Sequence, residues 1–118
     1  MGSIPTTLCH LNNLNGLYLD SNKLEGRIPI ELGNLTKLEA LYLSHNLLTS
    51  SIPRTLGQLE NLTYFFFQFN KITGPIPIEF GNLKSLKRLY LSNNFLNGQI
   101  PPTLGHLGNL VYLFLDSN

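Results

Sequence analysis

Shifted against itself by 24 residues, the sequence superimposes without a gap. LNNLNGLYLDSNKLEGRIPIELGN (11–34), LTKLEALYLSHNLLTSSIPRTLGQ (35–58), LENLTYFFFQFNKITGPIPIEFGN (59–82) and LKSLKRLYLSNNFLNGQIPPTLGH (83–106) align residue for residue. GSIPTTLCH, within residues 1–10, is the second half of a unit before the first, and LGNLVYLFLDSN (107–118) is the first half of one after the last. A unit this short cannot bury an apolar face alone, so its apolar side chains must be covered by neighbouring units stacked in a solenoid. The 118 residues, 42% hydrophobic and 13% charged, suffice for one such array.

Each position in the unit then has a physical task. Leu17/Leu19, Leu41/Leu43, Phe65/Phe67, Leu89/Leu91 and Leu113/Leu115 alternate with period two, which predicts a short parallel strand in every coil with these pairs facing inward. Three residues after each pair stands Asn22, Asn46, Asn70, Asn94 or Asn118. An amide both donates and accepts, so asparagines stacked in a ladder can satisfy the backbone groups of a buried turn. The step G-x-I-P at Gly26, Gly74 and Gly98, with Ser50 replacing glycine in the second unit, turns the chain and sends Ile28, Ile52, Ile76 and Ile100 inward. The L/F-G pairs at 32–33, 56–57, 80–81 and 104–105 predict a short helical turn ended by glycine.

The unit LxxLxxLxLxxNxLxGxIPxxLGxL resembles the plant-specific leucine-rich repeats of receptor-like kinases, receptor-like proteins and polygalacturonase inhibitors, and the match covers essentially the whole chain. LGNL at 32–35 and FGNL at 80–83 look most like receptor-like kinase ectodomains. The resemblance implies a right-handed leucine-rich-repeat solenoid, with parallel strands on the concave face and 3-10 turns and short extra strands on the convex face. It further implies an extracellular location at the plasma membrane or cell wall. The partners would be a peptide or protein ligand, with a co-receptor among them. The paired-cysteine caps of such ectodomains have no counterpart here, so the uncapped ends are expected to self-associate. The resemblance favours a fragment of a receptor-like kinase ectodomain that senses a ligand through its concave face; a polygalacturonase-inhibitor-like protein, a receptor-like protein without a kinase and a non-functional repeat remnant stay open as alternatives.

With the inward columns assigned, the outward ones define the candidate surface. Tyr18, Tyr42, Phe66, Tyr90 and Phe114 form an aromatic stripe on the strand face, widened by Tyr64, Phe69 and Tyr112. Aromatic side chains give large contact area at low conformational cost, which suits an extended peptide; the same stripe also suits mutual support between strands. Lys87 and Arg88 are the adjacent basic pair of that face and could hold a carboxylate. Asp20 and Asp116 share a column four coils apart, roughly 20 Å at strand spacing, too far for paired-carboxylate catalysis. His10 and His106 share another column and His45 stands alone, which is no metal signature. Cys9 takes a glycine position as the lone cysteine. The sequons Asn34-Leu35-Thr36 and Asn61-Leu62-Thr63 would accept glycans in a secreted chain.

A net charge of +1 without charge runs gives no reason to expect a nucleic-acid partner. The apolar groups are too short to span a bilayer, and residues 1–10 show no secretory leader pattern. No cofactor, metal or catalytic pair is predicted, and the expected function is recognition.

Overall fold

Leucine and phenylalanine alternation does produce a strand in each coil. The computed structural model describes residues 2–118, in which Gly16–Tyr18, Ala40–Tyr42, Tyr64–Phe66, Arg88–Tyr90 and Tyr112–Phe114 form one parallel five-stranded sheet in sequence order. The register keeps like residues opposite one another: Leu17 pairs with Leu41, Phe65 with Leu89, and Tyr90 with Phe114. Backbone bonds carry the pairing one residue further, as in Leu43 N–H donating to the Phe66 carbonyl at 2.7 Å.

The chain leaves each strand through a residue in the left-handed region. Ser21, His45, Phe69, Asn93 and Ser117 have φ between 55° and 59°. Asparagine or serine tolerates this conformation cheaply; a bulky phenylalanine there is unusual. The next residue is the ladder asparagine. Asn70 Nδ2 donates to the Phe67 carbonyl of its own coil at 3.2 Å and to the Leu43 carbonyl of the preceding coil at 2.9 Å, while its Oδ1 accepts from Leu48 N–H at 3.0 Å. Asn46, Asn94 and Asn118 repeat the scheme. Asn22 is exposed and its amide serves only the Leu19 and Asp20 carbonyls of its own coil. The amides of Asn46, Asn70, Asn94 and Asn118 thus each tie two coils together.

Short strands follow, pairing Glu25–Arg27 with Leu47–Thr49 and Thr73–Gly74 with Phe95–Leu96. The glycines of the G-x-I-P step have φ of 78°, and Ser50 in the same column is held at 68°. Proline then initiates a 3-10 turn in every coil: Thr6–His10, Ile30–Asn34, Arg54–Gln58, Ile78–Asn82 and Pro102–His106.

These turns correct one sequence expectation. Glycine does not end them; it is the fourth of five residues, and the chain exits through Leu35, Leu59, Leu83 or Leu107 at φ between −80° and −83°. The glycines serve close approach between coils. A Cβ on Gly57 would lie 2.6 Å from the Glu79 carbonyl oxygen, and one on Gly81 would lie 2.7 Å from Thr103 Cβ. Cys9 occupies this column in the first turn, where packing on the next turn is looser.

The core between sheet and turns is one continuous cluster. Leu41, Leu43, Phe65, Phe67, Leu89 and Leu91 are fully buried, joined by Phe80 from the turns, whose ring centroid is 5.6 Å from that of Phe65. Burial fails toward the last coil: Leu113 is 37% exposed. Ile100 departs from its expected inward role and is 61% exposed, whereas Ile28 and Ile52 are buried. Each isoleucine is covered by the G-x-I-P segment of the following coil, and Ile100 has none across it. No helix among the described residues is long and apolar enough to cross a membrane.

Candidate functional site on the strand face

Side chains alternate across a strand, so fixing Leu41 and Phe65 inward sends Tyr42 and Phe66 outward. Parallel register then stacks the outward rings along the solenoid. Tyr42–Phe66 centroids are 4.6 Å apart, Phe66–Tyr90 4.3 Å and Tyr90–Phe114 4.5 Å; the last two pairs are stacked nearly parallel, at 8° and 11°. Tyr18 meets Tyr42 edge-on at 4.8 Å. Both readings of the stripe therefore have content: the rings support one another, and they remain partly open to solvent. Tyr42, Phe66 and Tyr90 are half-buried, whereas Tyr18 and Phe114 are exposed. Burial, with smaller contributions from Tyr18 and Tyr64, pushes the Tyr42 phenol above its ordinary pKa, so it remains a hydrogen-bond donor throughout the neutral range.

The neighbouring column holds Tyr64, Arg88 and Tyr112, and the guanidinium carbon of Arg88 sits 5.9 Å and 5.2 Å from the two ring centroids. This arrangement holds a cation between two aromatic faces and fixes the direction of its donors. The sequence groups Tyr64 and Tyr112 with the stripe and Arg88 with Lys87, without the sandwich; the shared 24-residue spacing was the available signal.

On the opposite flank the structure separates Phe69 from the stripe by the column of Asp20, Ser44, Gln68, Ser92 and Asp116. Phe69 instead stacks on His45, with centroids 4.5 Å apart and planes at 15°. His45 is thus not an isolated polar residue, because the left-handed backbone at both positions turns both rings the same way. Among the described residues no three His, Cys, Asp or Glu side chains gather as metal ligands.

Elsewhere, Asn34 is exposed at the end of a 3-10 turn, while the Asn61 amide donates to the Thr36 carbonyl at 3.0 Å. Cys9 is buried, and desolvation followed by the charge of Glu31 raises its thiol pKa.

The strand, ladder and turn pattern matches family models. Residues 13–72 match one described as leucine rich repeat, and residues 85–107 match another of the same description. The chain belongs to the leucine-rich-repeat family. It is similar to the structure of a TDR receptor, at 40% identity and TM-score 0.98, covering 99% of this chain and 20% of that one. The plant peptide hormone receptor RGFR1 in complex with RGF2 is 42% identical, with TM-score 0.95 over 97% of this chain and 18% of the receptor. The ectodomain of the plant membrane receptor kinase GASSHO1/SCHENGEN3 from Arabidopsis thaliana, in complex with CASPARIAN STRIP INTEGRITY FACTOR 2, is 34% identical, with TM-score 0.97, covering 99% of this chain and 14% of that one. The chain thus spans a fifth or less of each of these receptor chains. No curated protein sequence matches significantly.

Proposed function

We propose that this chain is a recognition segment of a plant receptor-like kinase ectodomain, acting outside the cell and binding a peptide or protein through its strand face. The observation that carries the reading is the continuous column of contacting, partly exposed rings from Tyr42 to Phe114. Because adjacent rings cover one another's faces, a ligand meets ring edges, phenol hydroxyls and the Arg88 guanidinium. Ring edges carry the positive side of the aromatic quadrupole. Peptide carbonyls and carboxylates suit such a surface, whereas a sugar ring that stacks on an open aromatic face does not. Tyr18, Tyr64 and Tyr112 extend the contact, and the co-receptor and any glycan at Asn34 or Asn61 belong to the same proposal.

Selection from a random displayed peptide library tests it. Peptides enriched on the native chain should lose binding to Phe66→Ala/Tyr90→Ala while its circular dichroism is unchanged, since truncated aromatic hot spots cost about 2 kcal/mol or more. Ile30→Ala/Ile78→Ala, on the exposed turn face, should bind normally. Equal loss from both double variants would refute the strand face as the site.

A further inference from the structure

The column between the aromatic stripe and the His45–Phe69 pair forms a recess whose chemistry differs from the rest of the face. Phe69, Tyr90 and Phe114 wall it, and Gln68, Ser92 and Asp116 lie within it. Ser92 Oγ donates to Asp116 Oδ1 at 2.6 Å, which fixes the carboxylate and leaves its second oxygen without a bonded partner. Gln68 Oε1 is a buried acceptor with no donor. No lysine, arginine or histidine lines the recess, so one carboxylate and three aromatic side chains dominate it. A second observation concerns Phe69. Its φ of 59° is strained for a bulky residue, and its ring is 46% exposed. Local stability does not require an aromatic there, since Asn93 and Ser117 hold the equivalent conformation. Backbone strain kept under an exposed ring is a mark of a functional position.

The geometry points to this recess as a subsite for a cationic side chain, arginine or lysine, of the peptide bound along the strand face. The ligand stem packs on Phe69 and Phe114, and the cation donates to the free oxygen of Asp116. With Arg88 on the opposite flank of the stripe, the two borders of the face carry opposite charge over the last two coils. A peptide must therefore present its basic residue on the Asp116 side and its acidic group on the Arg88 side. The inference rests on the strand face being the ligand face, and deepens that reading by naming what one border selects.

The test uses the full chain, 15N-labelled, titrated with blocked Gly-Gly-Arg-Gly-Gly and with analogues carrying citrulline or glutamate at the centre. The arginine peptide should shift amides of Phe69, Tyr90, Asn93 and Asp116. Citrulline, which keeps the shape and loses the charge, should bind about fivefold more weakly. Asp116→Asn retains an acceptor for Ser92 and should weaken the arginine peptide by a similar factor, about fivefold, while the same charge change at Glu60→Gln should have no effect. Equal binding of arginine and citrulline, indifference to Asp116→Asn, or shifts confined to Tyr18 and Tyr42 would overturn the subsite and leave the strand-face reading standing. Silence from all three peptides would also overturn it, and the Phe66→Ala/Tyr90→Ala selection would then show separately whether the strand-face reading falls with it.

Discussion

On the turn face a glycine in each inner coil lies against the backbone of the next, and on the strand face the nearest neighbour of Gly16 is the ring of Tyr18. The nearest neighbours of a Cβ at Gly57 would be the Glu79 carbonyl oxygen and Cβ, at 2.6 and 2.7 Å; at Gly16 they would be Tyr18 Cε2 and the phenol oxygen, at 2.6 and 2.9 Å. Similar distances carry opposite meanings. A carbonyl in a packed turn cannot move without displacing a coil, whereas an exposed ring can rotate away. The column of Gly16 accordingly holds Ala40, Tyr64, Arg88 and Tyr112 in the other coils, while the column of Gly57 holds glycine at 33, 81 and 105 and otherwise only Cys9. One face closes the solenoid through its backbone; the other is free to vary its side chains, and that freedom is what recognition requires.

The sharpest way to break this contrast is the same substitution on each face. Gly57→Ala should lower stability by about 1–3 kcal/mol through overpacking. Gly16→Ala should be neutral or raise stability by about 0.5 kcal/mol, because alanine restricts the unfolded chain. Chemical denaturation reads both, and matching midpoints would abolish the distinction.

The ladder gives a second comparison of comparable size. Asn70→Leu leaves the buried Leu48 N–H without an acceptor and the Leu43 carbonyl with only the Asn46 amide as side-chain donor, and should cost about 1–3 kcal/mol. Asn22→Leu breaks only bonds within an exposed turn and should stay below about 1 kcal/mol. Equal losses would mean that the bonds between coils contribute nothing beyond the local turn.

A smaller effect of opposite sign is expected at Phe69. Phe69→Asn relieves left-handed strain and sacrifices an exposed stack, for a net gain of about 0.5 kcal/mol. A drop in thermal midpoint would show that the His45–Phe69 stack outweighs the strain, and would remove one support of the cation subsite. The least effect is the response to alkali. The folded-state pKa of Tyr42 is raised, so the folded chain holds its proton more tightly than the unfolded chain does. The associated stabilisation is complete below the ordinary phenol value of about 10 and is lost as pH rises through the folded value. Tyr42→Phe should flatten the alkaline decline in denaturation midpoint; an unchanged slope would reject that origin.

Much of the fold could be read from the letters because periodicity reports burial. Leu41, Phe65 and Leu89 recur with period two inside a longer period, and the ladder asparagines fall at a fixed step behind them. Periodicity carries no information about the sign of φ or the rotation of a ring. Gly33 and Gly74 look alike in sequence, yet only Gly74 takes a positive φ. His45 looks solitary until the left-handed turn brings it onto Phe69. Membership of the aromatic stripe was legible; that its rings present edges was not, because stacking depends on side-chain torsions no spacing records.

The register of the ladder has a further consequence. Each amide of Asn46, Asn70, Asn94 and Asn118 reaches back 27 residues to a carbonyl and accepts from an N–H 22 residues behind it. Remove one whole coil and Asn94 would face Leu43 and Leu48, which offer the groups that Phe67 and Ile72 offer now. The molecule can therefore be shortened or lengthened by a coil with every junction re-formed, the face growing by about 4.8 Å each time. Recombination between misaligned copies would then change the reach of the protein in discrete steps, a route to longer or shorter ligands that needs no new fold and no compensating substitution.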